Sequence, residues 1–132
     1  GPDTWNGSIH IEVPDTCTAN ELDQLIRSIQ MAVYQLHQVI LTAIGVYSVN
    51  TKDPETIEVR EKVREIVFAH QHVTQMHGFY LIKEEKSIRF DIVVSFDAKD
   101  RKAVYTDVVN DVQKAYPDYT LQVAMDTDFA EE

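Results

Sequence analysis

Ser87–Phe96 reads SIRFDIVVSF, and the reading of this stretch decides the fold. Ile88, Phe90, Ile92, Val94 and Phe96 occupy every second position. A period of two predicts a β-strand with one apolar face; on a helix the same residues would fall on two opposite sides. Immediately before it, Glu84–Lys86 forms a polar break and Met76–Lys83 is rich in strand-forming residues, so the two runs predict a hairpin. Further back, Asp53-Pro54 is a helix start, with an acid at the N-cap and proline at the first helical position. Ile57, Val59, Val63, Ile66 and Val67 supply the apolar face of that helix. On the other side, Asp97 is expected to cap a third helix. Val104, Val108 and Val112 form its stripe, with Tyr105 and Val109 beside them, and Pro117 stops it. Thr120–Asp126 (TLQVAMD) is the last predicted strand.

The N-terminal part repeats this grammar. Ser8–Val13 (SIHIEV) alternates Ile9, Ile11 and Val13 with His10 and Glu12, which predicts a half-buried strand ended by Pro14-Asp15. Thr18-Ala-Asn-Glu21 reads as a capping box. Leu22, Leu25, Ile26, Ile29, Val33 and Leu36 follow at helical spacing to about Gln38, and Leu41–Val49 (LTAIGVYSV) reads as a strand. The predicted order is β-α-β followed by α-β-β-α-β. SIHIEVPD, a helix and LTAIGVYSVN match in pattern SIRFDIVVSFD, a helix and TLQVAMDTD. Two related βαβ halves suggest an α+β, ferredoxin-like architecture, with helices on one face of a mostly antiparallel sheet. The pattern admits one enlarged sheet or one and a half copies of a small domain.

Composition narrows the function. The chain has 132 residues and is 44% hydrophobic, enough for a buried core. Its 22 acidic and 12 basic residues give a formal charge of −10. That field repels nucleic acid and favours a cation, although acid also serves solubility alone. Cys17 is a single cysteine, so no disulfide forms within the chain, and a reducing compartment is expected. No apolar run reaches the ~20 residues of a membrane helix, and no signal peptide opens the chain. Gly1-Pro2 reads equally as a protease scar or as native sequence.

HIEVPDTCTANELDQLIRSIQ, ILTAIGVYSVNTKD, QMHGFYLIKEEKSIRFDIVVSF and YPDYTLQVAMDTD together resemble the cytoplasmic C-terminal region of cation diffusion facilitator transporters. They look most like bacterial members that carry this region in tandem. His10-Ile11-Glu12 resembles the family's strand motif, and GPDTWNG the tip of its hairpin. The resemblance implies that residues 1–51 are a partial first copy (strand, helix, strand) and residues 52–132 a complete second copy (αββαβ). It further implies a domain at the cytoplasmic face of the membrane that joins a transmembrane transporter domain, forms a homodimer and in many members binds the transported metal. This sequence departs from the family at the metal positions. Where the first copy has His10 the second offers only Asp91, and the last strand carries Asp126 and Asp128 where many members have a histidine and then an acid.

The histidines need sorting. His70 and His72 are expected at the end of the second helix. There, i and i+2 side chains diverge by ~200° and do not share one ion; a helix C-terminus, where a cation suits the dipole, explains them. His37 reads in the same way at the end of the first helix. His77 opens a strand, and its place resembles the family's histidine at the start of the hairpin. Two readings stand for it: a ligand joined by Asp126 and Asp128, or a strand-end histidine bonded to backbone. One imidazole with carboxylates suits Zn²⁺, Mn²⁺ or Fe²⁺. His10 and Glu12 share a strand face and either chelate together or form a solvated outer surface. Asp91 is expected to face solvent. Tyr47, Phe79 and Tyr80 read as core or dimer interface.

Catalytic signatures are missing: there is no GxGxxG, no GxxxxGK[ST], no HExxH and no serine in a nucleophile elbow. The sequence thus points away from an enzyme. It points to a regulatory and dimerisation domain of a divalent-metal efflux transporter that senses the metal. A purely structural oligomerisation domain without metal is one alternative; a stand-alone ferredoxin-like domain that binds a small molecule is another.

Overall fold

The alternating stretch that begins at Ser87 lies at the centre of its sheet. The computed structural model describes residues 5–126. The chain divides into two compact units, Gly1–Thr51 and Lys52–Glu132. The first contains β1 (Trp5–Pro14), α1 (Ala19–His37) and β2 (Val39–Val49). The second contains α2 (Pro54–Phe68), β3 (Val73–Ile82), β4 (Ser87–Val94), α3 (Arg101–Ala115) and β5 (Thr120–Asp126). The class is α+β. A mostly antiparallel sheet, either one enlarged sheet or that of one and a half copies of a small domain, was expected from the sequence and is not formed. Among the described residues there are two small sheets, β1-β2 and β3-β4-β5. β1 pairs with β2 in parallel, β4 pairs with β5 in parallel, and only β3 pairs antiparallel, with β4. The reason is topological. Each βαβ crossover returns its second strand to the place beside the first, leaving no gap for an antiparallel strand between them.

In the second unit the core lies between the sheet and the two helices. Val59, Val63 and Val67 of α2 and Val108 and Val112 of α3 meet Ile88, Phe90, Ile92 and Val94 of β4. These β4 side chains are at most 1% exposed. α3 is fixed to the sheet by the Tyr105 hydroxyl, which donates to the Val123 carbonyl at 2.7 Å. Its C-terminal loop is tied by Gln113, whose amide donates to the carbonyls of Tyr116 and Tyr119, each at 2.9 Å. The α3 cap is Asp100, which accepts from the Ala103 N–H, and not the expected Asp97. Ala98 is buried just before it, so Asp97–Lys99 is a packed turn outside the helix.

Asp53 is the N-cap of α2 with Pro54 following, yet its carboxylate makes no cap bond. It accepts instead from Thr56 Oγ1 at 2.6 Å and pairs with Lys83 Nζ at 2.7 Å, joining the start of α2 to the end of the hairpin strand. The Lys83 hydrogen bond, followed by that of Thr56, holds the Asp53 carboxyl below its ordinary value of 3.8. The same pair raises Lys83 above 10.5.

The first unit is thinner. Thr18 and Glu21 form both halves of the expected capping box. Leu22, Ile26, Ile29 and Val33 are half-buried, and no α1 side chain is fully buried. Val13 and Leu41 are the buried apolar residues of this unit among those described. The pairing of β1 with β2 shifts register between Gly7 and Ser8, which leaves Ser8–Pro14 as its regular stretch.

Two stability tests follow from the second unit. Phe90→Ala, at a fully buried site, should cost about 3–5 kcal/mol in denaturant unfolding followed by circular dichroism. For Asp53, the depressed value means a stabilisation present above the ordinary carboxylate value and lost as pH falls through the lower, folded one. For Lys83, the raised value means a stabilisation present below 10.5 and lost as pH rises through the higher, folded one. Lys83→Met should therefore lower the denaturation midpoint at neutral pH, and the gap to wild type should close in strong acid. A gap of constant size down to pH ~2 would show that the pair is not responsible.

Candidate metal centre

β4 sets the geometry. In the hairpin His77 lies opposite Asp91; on the other side Asp91 lies opposite Ala124, and Val93 opposite Asp126. Directly paired residues share a face of the sheet. His77, Asp91 and Asp126 are therefore all on the face turned away from α2 and α3. β3 and β5 do not pair; they are separated by β4, about 9–10 Å apart at the backbone. Even so, His77 Nε2 and Asp126 Oδ2 are 3.5 Å apart. The two side chains reach towards one another over the central strand. Gly78, with φ of 67°, follows His77 directly, and the pairing with β4 is irregular between His77 and Tyr80. A bulge of this kind re-aims the neighbouring side chain.

This crossing accounts for a burial that the sequence did not announce. Asp91, expected to face solvent, is 3% exposed, and Val93 on the same face is also 3% exposed. Both lie on the middle strand, where β3 and β5 flank them and the His77–Asp126 pair covers them. Arg89 Nη2 approaches Asp91 Oδ1 at 3.9 Å and offsets some of the cost of burying the carboxylate.

The spacing of the pair bears on its chemistry. His77 Nε2 is buried and makes no hydrogen bond among the described residues. At 3.5 Å it is too far from Asp126 for a strong N–H···O bond. Two donors each about 2.1 Å from one ion at a tetrahedral angle would be about 3.4 Å apart. The separation therefore suits a nitrogen and an oxygen on one dication, the imidazole being neutral and the remaining positions held by water or another side chain. Asp128, the third donor expected from the sequence, lies outside the described residues.

The other candidates lie apart from this pair. His10 and Glu12 are exposed on one face of β1. The His10 ring packs edge-on against Tyr47, centroids 5.2 Å apart. Gly45 is its partner on β2, and a side chain there would collide with the imidazole. His70 and His72 lie beyond α2, which ends at Phe68, in the turn towards β3. His70 Nε2 meets Asp111 Oδ2 of α3 at 2.9 Å, a tether between elements that helix-dipole reasoning missed. A carboxylate about forty residues downstream carries no local signal. The His72 carbonyl accepts from the Ser95 N–H at 2.8 Å. Among the described residues no group of three His, Cys, Asp or Glu side chains converges on one point.

Among the described residues no helix is long and apolar enough to cross a membrane. Comparison with known protein families, with characterised proteins and with solved structures finds no match for this chain.

Proposed function

We propose that the chain is the cytoplasmic regulatory and dimerisation domain of a divalent-cation efflux transporter, with a metal-sensing site on its second unit. His77 and Asp126 are the two ligands, and Asp128 is the candidate third. The observation that carries this reading is the donor pair 3.5 Å apart, with its imidazole nitrogen buried and lacking a hydrogen bond among the described residues. Two features support it. The resemblance to cation diffusion facilitators runs in order along nearly the whole chain, and the charge of −10 concentrates cations near the surface. Zn²⁺, Mn²⁺ or Fe²⁺ fits one imidazole with carboxylates; Mg²⁺ prefers an all-oxygen octahedron.

Such a site works by population shift. A dication that binds one arrangement of β3 and β5 better than another biases the dimer towards that arrangement, by no more than its difference in affinity. The transmembrane domain of the same transporter would read the change. A second reading, structural dimerisation without metal, is favoured by one observation: the first unit buries only Val13 and Leu41 among its described apolar residues, and neither completely, too little to stand alone.

Thermal melting with a metal panel separates the two. A ligand that binds only the folded state stabilises it by about 2.7 kcal/mol at 100 times its Kd, a rise of several degrees in Tm. Zn²⁺ or Mn²⁺ should produce such a rise and Mg²⁺ should not. His77→Ala should abolish it. His70→Ala should lower the starting Tm, since it removes the Asp111 tether, and leave the rise intact. No rise in wild type, or the same loss in both variants, would remove the sensing role and leave the structural one.

A further inference from the structure

The face of the second unit's sheet that turns away from α2 and α3 carries a small set of charges. The strand pairings put His77 of β3, Arg89 and Asp91 of β4 and Asp126 of β5 on it, with Tyr80 opposite Arg89. Asp91 occupies the centre. It lies opposite His77 on the middle strand, and its side chain is 4% exposed. A carboxylate so deeply covered is strongly unfavourable unless a positive charge stands near it. Among the described residues of this face the permanent cation is Arg89, on the same strand, whose Nη2 lies 3.9 Å from Asp91 Oδ1. At that distance the two atoms attract without a hydrogen bond. The Arg89 side chain is 42% exposed, so its head group lies against water and can turn out into it at little cost.

We propose that Arg89 is an internal counter-cation that competes with the metal and so sets the affinity of the site. In the metal-free chain it offsets the buried Asp91 carboxylate. A dication taken up by His77 and Asp126 meets the same negative charge, and Arg89 opposes its binding. The inference rests on the metal-binding part of the proposed function and says what regulates that site. Neither Arg89 nor Asp91 is a ligand here; both act through their charge.

The balance of charge gives the direction of the effect. Ligation needs a neutral imidazole. With His77 neutral, the two carboxylates and one guanidinium leave this face one charge negative, and a dication reverses the sign. Without Arg89 the same dication would balance the two carboxylates. Arg89 thus stabilises the empty state and opposes the filled one, and the affinity is lower than the ligands alone would give. Burial sharpens this. Asp91 and Val93 are each 3% exposed, and charges act more strongly on one another through such a poorly hydrated layer than through water. An ion pair of purely structural importance predicts the opposite result: its loss would loosen the face, and the ligands with it.

Calorimetric titration with Zn²⁺ and thermal melting of the metal-free chain read the two effects separately. Arg89→Gln should lower the metal-free Tm and tighten Zn²⁺ binding about tenfold, a modest factor because the guanidinium is partly exposed. Asp91→Asn should keep or raise the metal-free Tm and weaken Zn²⁺ binding about tenfold. Arg89→Lys, which keeps the charge, should bind as wild type does. These differences in affinity should narrow in ~1 M salt, which screens charge and leaves packing in place. In the Asp91→Asn background, Arg89→Gln should no longer lower the metal-free Tm. Unchanged or weaker binding by Arg89→Gln, while wild type binds through His77, would overturn the inference and leave the metal site standing. Equal tightening by Arg89→Lys would do the same, since charge would not be the cause. If Arg89→Gln fails to fold, Asp91→Asn carries the test, and an unchanged affinity there overturns the inference. No Zn²⁺ binding by wild type, or binding that survives His77→Ala, would overturn both the inference and the sensing reading.

Discussion

The second unit depends on one constraint: β4 is enclosed on both edges and on the helix-facing side. Ile88, Phe90 and Ile92 are fully buried, and β3 and β5 hydrogen-bond to its two edges. A one-residue slip in either pairing would turn the apolar set of the slipped strand outwards, at the cost of most of its burial. Hydrophobic packing therefore fixes the two registers, and the registers fix which polar residues meet on the opposite face. His77 and Asp126 come together because Met76 and Val123 must face the core. No polar attraction is needed to bring them there. The pair is a consequence of the core, built from strands that are not hydrogen-bonded to each other.

The same logic shows why the first unit differs. Its α1 is clearly amphipathic, with a complete capping box, yet among the described residues its sheet has only two strands. A helix is about 10 Å wide and two strands span about 5 Å between axes, so the apolar stripe overhangs the sheet. Half-burial of Leu22, Ile26, Ile29 and Val33, with none complete, is the expected result. In the second unit a third strand and a second helix close the same gap. The difference lies in the number of neighbours, and no residue in the βαβ segments themselves announces it.

Most elements were legible because their signals are local. The alternation in Ser87–Phe96, the Thr18–Glu21 box and Asp53-Pro54 each mark a β-strand or helix by side chains a few residues apart, and each element forms. Strand order was not legible, since period two is the same in parallel and antiparallel pairs; hence the mostly antiparallel pairing expected became two parallel pairs and one antiparallel pair. Asp91 was misread for a related reason. Alternation places it on the outer face, correctly, but burial there is decided by His77 and Asp126 crossing over β4, which are distant in sequence. Asp53 was located but its task was not: the N-cap position is local, whereas Lys83 comes from the far end of the hairpin strand. Asp97 and Asp100 are equally good caps by composition, and the buried Ala98 between them decides for the second.

A histidine in the middle of one strand and a carboxylate at the end of another can hold either a proton or a metal between them, and the two compete for the same lone pairs. A protonated imidazole would face Asp126 as an ion pair; a neutral one can ligate. Because His77 and Asp126 reach across β4 from opposite sides, either occupant would staple β3 to β5. A proton would do so through a partly exposed charge pair, worth little in water. A metal would do so through two coordinate bonds of fixed length, which would restrain both strands at once. A dication held there would thus make the outer face of this sheet more rigid than a proton would. The sensing role proposed above would need that difference, which a preformed hydrogen-bonded pair would have lacked.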